Sequence, residues 1–159
     1  MIFAKKTLMT ISLAILFVGA CVTISSPQKG PIPPDVKIIS PDPSLPNEVK
    51  ALTGKWRGEW GSGSRWETAL YVEELEKDSA RVVHAWGDFR CVNRSGCHCS
   101  PGWAEKKANI QLSSGKATLV FNVDNGRFTF TLNDSKPDEM EGMFRNSSQR
   151  LITTMKRIQ

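Results

Sequence analysis

Three cysteines and a histidine, Cys91, Cys97, His98 and Cys99, crowd one short stretch and form the densest set of reactive side chains in the chain. Cys97 and Cys99, two positions apart, point to the same side of an extended segment, and Cys91 can return on a loop to meet either. In an oxidising compartment this predicts one disulfide, Cys91 with Cys97 or with Cys99, and one thiol left over. A second reading is a metal site for zinc or copper(I) built from Cys91, Cys97, His98 and Cys99. The spacing departs from the usual Cys-x-x-Cys knuckle, so no metal and no other cofactor is assigned. A redox-active dithiol lacks both the Cys-x-x-Cys motif and a βαβ pattern to carry it.

All five tryptophans lie between Trp56 and Trp103. Indole faces stack on sugars and on apolar ligands, which makes Trp56, Trp60, Trp86 and Trp103 candidate ligand contacts. The competing role is core packing in a small barrel. His84 shares a strand face with Val82 and Trp86, as a core histidine would. With His84 and His98 the only histidines, no nucleophile–base–acid arrangement assembles by motif. Glu59, Glu67, Glu73 and Asp88 supply carboxylates of the kind glycoside hydrolysis pairs. Glu59 and Glu67, however, fall on the solvent-facing half of their strands. No phosphate loop, zinc-protease motif or calcium loop is present. The chain is therefore expected not to be an enzyme.

Short alternating segments separated by turn residues must position these side chains. Gly54 to Trp60 puts both of its tryptophans on one face and three charges on the other. Trp66–Leu75, Ala80–Gly87, Trp103–Leu112, Ala117–Val123, Arg127–Leu132, Met140–Arg145 and Arg150–Arg157 follow. Between two of them, Asp124-Asn125-Gly126 is a strong hairpin signal. Eight period-two strands with no convincing helical period predict an all-β fold over residues 48–159. The expected form is a small eight-stranded antiparallel up-and-down barrel, with a β-sandwich as the alternative. With 112 residues for eight strands, side chains should fill most of the interior.

A Gly-x-Trp opening the first strand, with a basic residue closing the last, resembles the lipocalin-like (calycin) barrels. That resemblance, which Gly54 and Trp56 match, implies that Trp56 plugs one end while Arg157 or Lys156 packs over it in a cation–π contact that seals the floor. Gly54 to Trp60, together with the later Trp86-Gly87, also resembles exported bacterial domains of uncharacterised function.

The N-terminus carries its own message. Lys5 and Lys6 precede an apolar run, Leu8 to Ala20, whose thirteen residues span roughly 20 Å as a helix, short of the ~30 Å hydrocarbon core. This is signal-peptide length. Val18-Gly19-Ala20-Cys21 resembles the lipobox of bacterial lipoproteins, which implies cleavage before Cys21 and acylation of its thiol and amino group. Several acyl chains would bind the lipid bilayer durably. Val22, where an Asp would resemble the inner-membrane retention signal, implies the outer membrane, with the protein facing the periplasm or the surface. Seven of the nine prolines lie between Pro27 and Pro46, so residues 21–47 are expected to be a Pro-rich tether. It is read as a stalk, or as a strap along the domain docked by Ile38 and Ile39. Losing Lys5 and Lys6 with the signal lowers the formal charge from +5 to +3. No basic stripe points to nucleic acid.

The expected protein is thus a lipid-anchored outer-membrane lipoprotein with segments 1–20, 21–47 and 48–159. Its leading function is non-catalytic binding of a small apolar or sugar-like ligand, or of an envelope component. The rivals are a protein-binding, inhibitor or envelope-assembly module, and a small hydrolase.

Overall fold

The structure is a computed structural model that describes residues 30–33, 35–61, 66–90, 98–124 and 126–159, with Phe89, Arg90 and His98 described by their backbone alone. The signal segment 1–20, the lipidation candidate Cys21, and Cys91 and Cys97 lie outside the described residues. A single-turn helix, α1 (Asn47–Lys50), leads into ten strands. These are β1 (Gly54–Trp60), β2 (Trp66–Leu75), β3 (Ser79–Trp86), β4 (Phe89–Arg90), β5 (His98–Cys99), β6 (Gly102–Ser113), β7 (Lys116–Val123), β8 (Gly126–Asn133), β9 (Lys136–Arg145) and β10 (Arg150–Ile158).

Eight of them close an antiparallel barrel in the order β1-β10-β9-β8-β7-β6-β3-β2. Each strand pairs with its chain neighbour, and β10 returns to β1 through Lys55↔Ile158, Trp56↔Arg157 and Arg57↔Lys156. That last pairing removes the free edges a sandwich would keep. The expected up-and-down barrel is therefore the observed one. Outside it, β4 and β5 form a two-stranded ribbon in the β3–β6 connection. Strand β9 starts four residues earlier than its alternation predicts. Pro137 and Asp138 fall where the β8–β9 register shifts, a break in the ladder that tolerates a missing N–H.

Inside, period-two alternation sends one side chain in two to the axis. Trp56, Leu70, Val72, Val82, Leu119, Phe130, Met140 and Met155 are buried there. The end of the barrel reached first by β1 is sealed. Trp56 Nε1 donates to Leu52 O at 3.0 Å, and the Arg157 guanidinium lies 4.0 Å from the Trp56 ring centroid. Arg157 NH1 and NH2 donate to Thr53 O (2.6 Å) and Ala51 O (2.9 Å), and Nε donates to Asp138 Oδ1 (3.1 Å). Gly54 has φ +122°, a conformation that calls for glycine, and a Cβ there would stand 2.8 Å from Arg157 NH1 and press on the sealing guanidinium. Val49 and Leu52 complete the floor.

The Pro-rich segment is packed from Gly30 onward. It straps the outer face of β2 and β3, where Val36 and Ile38 cover Ala69, Tyr71, Val83 and Ala85. Two carboxylates of β2 hold its backbone. Gly30 N donates to Glu67 Oε2 and Lys37 N donates to Glu73 Oε1, each at 3.0 Å, while Ile39 N donates to Glu73 O at 2.7 Å. Glu73 also pairs with Arg81 at 2.9 Å. Arg57 Nε sits 2.7 Å from Glu67 Oε1, close in charge but off the N–H direction. Glu67 thus faces outward as its alternation predicts, yet is buried, because the strap replaces solvent over that face.

Arg157→Ala should lower unfolding free energy by about 2–4 kcal/mol, since it removes the cation–π contact and leaves two floor carbonyls without their charged donor. Urea denaturation followed by Trp fluorescence would read this. Arg157→Lys should recover less than half, because an ammonium cannot bridge Thr53 O and Ala51 O in one plane.

Candidate functional site

Among the described residues, the opposite end of the barrel is open. A cavity of about 410 Å³ lies there, lined by Trp66, His84, Trp86, Cys99, Ala104, Lys106, Val123, Asp124, Phe128, Phe144, Gln149 and Leu151. Strand ends explain the membership. Trp66 begins β2, Trp86 ends β3, Val123 ends β7, and Phe128, Phe144 and Leu151 are end positions of β8, β9 and β10. The cavity also has a side. Strands β6 and β7 pair only from Asn109↔Val120 down to Ser113↔Lys116. Beyond that point β6 continues with β3 alone, as far as Trp86↔Gly102, and β7 continues with β8 alone, as far as Val123↔Gly126. The wall is therefore split beside the mouth, and Lys106 and Val123 flank the split.

Aromatic rings form the inner wall. Phe128 lies 4.8 Å from Phe144, 5.4 Å from Phe121 and 5.7 Å from Trp60 by ring centroids. Trp86 is held at the rim by donating from Nε1 to Ser100 O at 3.0 Å. Its ring lies over Gly102, where a Cβ would come within 2.8 Å of it.

His84 sits under the rim, ringed by Phe128 (4.7 Å), Phe121 (5.7 Å), Trp86 (5.7 Å) and Phe130 (6.5 Å). Its Nε2 is 2.9 Å from Thr68 Oγ1. Burial pushes the imidazole down to about 4, and the Lys106 ammonium pushes in the same direction. His84 is therefore neutral at neutral pH. Bonded to a hydroxyl and not oriented by a carboxylate, it is placed as a packed polar group of the wall and not as a general base.

The predicted residues scatter over several roles. Of the four tryptophans proposed as ligand contacts, Trp86 lines the cavity, and Trp66 does so too. Trp60 packs within the aromatic cluster, Trp56 is the plug at the far end, and Trp103 faces outward from β6 and is 42% exposed. Cys99 carries a free, half-buried thiol, and its candidate disulfide partner Cys91 lies outside the described residues. Cys99 pairs with Phe89 and lines the cavity. A Cys91–Cys97 bridge falls outside the described residues. Among the described residues no cluster of His, Cys, Asp or Glu can hold a metal ion. The candidate ligands Cys91 and Cys97 lie outside them, and so does the side chain of His98.

Lys106 was missed, although a signal for it existed. On β6 the same parity that turns Ala108 and Ile110 inward also turns Ala104 and Lys106 inward, which sets a lysine where the pattern requires an apolar residue.

No protein-family model matches the chain, and no curated protein matches it in sequence. It is similar to a de novo designed fluorescence-activating β-barrel (TM-score 0.45, 15% identity, covering 71% of this chain and 98% of that one). It is also similar to a variant of the fluorescent protein UnaG (0.41, 11%, 70% and 99%). A third likeness is to an S-type phycobiliprotein lyase from Guillardia theta (0.40, 8%, 70% and 90%).

Neutral His84 makes the fold acid-sensitive. The unfolded chain takes up this proton near 6.5, while the folded chain does so only near 4. Stability is thus full above the first value and falls as pH drops toward the second, by about 1.4 kcal/mol per pH unit. Between pH 6.5 and 5 the wild type should lose about 1.5 kcal/mol more than His84→Gln, which keeps a polar partner for Thr68 but does not titrate. Urea titrations of both proteins at the two pH values measure the difference.

Proposed function

We propose that this chain is a non-catalytic binding protein for a small apolar ligand held in the open end of the barrel. The observation that carries this is the asymmetry of the interior. One end is plugged by Trp56 and Arg157, while the other keeps an aromatic-walled cavity of about 410 Å³, toward the lower end of the ~300–1,000 Å³ typical of ligand pockets. Groups that could do acid–base chemistry have other duties. Glu67 and Glu73 hold the strap, and His84 bonds Thr68.

We further propose that the protein is a lipoprotein of the bacterial outer membrane, anchored through acylated Cys21. The course of the strap gives this reading a consequence. Gly30 lies against Trp86 and Gly87 at the open end, where a Cβ would come 3.1 Å from the Trp86 carbonyl carbon. From there the segment runs along β2 from Glu67 to Glu73. Nine steps of chain separate Cys21 from Gly30, a reach of roughly 28 Å at most in extended polyproline form. An anchor at Cys21 would hold the mouth of the barrel, and not its plugged floor, near the bilayer. An apolar ligand could then pass between lipid and cavity over a short distance.

The neutral dye N-phenyl-1-naphthylamine should bind the purified domain with one-to-one stoichiometry. Ala104→Phe, which adds a ring to the cavity wall, should weaken binding at least tenfold, while Trp103→Ala on the outer face should leave it unchanged. Equal loss in both variants, or binding that Ala104→Phe does not touch, would defeat the cavity reading. In cells, Cys21→Ser should move the protein from the membrane to the soluble fraction; unchanged fractionation would refute the anchor.

A further inference from the structure

The cavity wall contains one side chain that an apolar ligand does not explain. Lys106 faces inward on β6, half-buried, at the place where β6 has parted from β7. Its register partner on β3 is Val82, one inward position deeper than His84. Its ammonium is near enough to His84 to depress that imidazole. No carboxylate among the described residues pairs with it, unlike Arg81, Lys116, Lys136 and Arg157, each of which has an acidic partner. The other charged residue of the lining, Asp124, is exposed on the β7–β8 turn and is well solvated at the rim. A lysine set into an aromatic wall without a counter-ion leaves a position for one.

We propose that the ligand is a single-chain anionic amphiphile, with its head group on Lys106 at the β6–β7 split and its apolar chain against Phe128, Phe144, Leu151 and Trp66. The proposal rests on reading the cavity as a ligand site and adds the charge of the ligand to it. The geometry suits such a molecule. The split lets the head group keep contact with water beside Lys106, while the mouth end of the cavity shelters the chain. Neutral His84, with its hydrogen bond to Thr68, contributes no second positive charge at neutral pH, so recognition of the anion falls to Lys106. A carboxylate and a phosphate monoester share the necessary chemistry, and both are included in the test.

Isothermal titration of the wild-type domain with decanoate, decyl phosphate, decanol and decylamine separates the terms. At least one of the two anions should bind about tenfold more tightly than decanol, the scale of one charge-assisted contact in a half-buried site. Decylamine should bind more weakly than decanol. Lys106→Met should remove the advantage of the anion while leaving decanol affinity unchanged, which also shows that the variant is folded and its cavity intact. Asp124→Asn should not reduce anion binding. The relative strength of decanoate and decyl phosphate identifies the head group. If decanol and both anions bind equally, or if Lys106→Met keeps the preference, the anion site is refuted while the apolar cavity stands. If no decyl compound binds, the cavity reading and this one fail together.

Discussion

The closure of one barrel end by Trp56 and Arg157 is the constraint on which the rest of the molecule depends. An eight-stranded barrel is only just wide enough to be filled by its own side chains, and its two rims are where backbone groups lose their neighbours. Here a single guanidinium lies 4.0 Å from an indole. It also satisfies two carbonyls of the turn leading into β1. The indole in turn reaches Leu52 O. The last strand, the first strand and the helix before it are thereby locked in one place. Register across the β1–β10 seam follows, because Trp56 is directly opposite Arg157. A slip of one residue would turn Arg157 to the opposite face.

With that end fixed, the strap becomes possible. Residues that looked like a free stalk run along β2 and enter α1 at the sealed floor. Apolar cover from Val36 and Ile38 and two buried carboxylates turned toward backbone N–H groups hold them there. Backbone donors are the natural partners for such carboxylates, since prolines interrupt the strap's own hydrogen bonding. The same arrangement explains why β2 is buried on both faces while β6 and β8 are not. It also brings the chain to the barrel at its open end.

Much of this was legible in the sequence. Clean alternation from Ala117 to Val123 and from Arg127 to Leu132 defined strands, and Gly54, Trp56 and Arg157 sat at the positions a sealed barrel end needs. What alternation alone could not supply was which partner covers each face. Glu67 has the correct parity for solvent, yet it is covered by chain from more than thirty positions away, and nothing local to either segment announces that contact. The tryptophans show the same limit. Their type says they pack or bind, but only the direction of each strand decides the end at which they do so. Trp56 and Trp86 therefore finish at opposite ends. Lys106 has the inward parity of Ala108 and Ile110, but its charged neighbours Glu105 and Lys107 give that stretch no apolar alternation to mark it.

The small size of the domain leaves little room for binding space, and the barrel distributes that room unevenly. A uniform barrel of this size would be filled throughout. In this one Trp56, Leu70, Phe130, Met140 and Met155 fill the sealed end and middle, while the rings of the mouth end stand around a cavity. Toward the mouth, β6 turns in Ala104, which fills less of the axis than leucine or phenylalanine would, and the polar-tipped Lys106, and β6 separates from β7 there. Space is made by removing volume and ladder bonds from a single stretch of wall, and the remaining strands keep their pairing. Such a local departure from apolar patterning weakens a barrel and has no packing benefit to offset it. Under the proposed binding role, this stretch of wall is the part of the fold given over to the ligand.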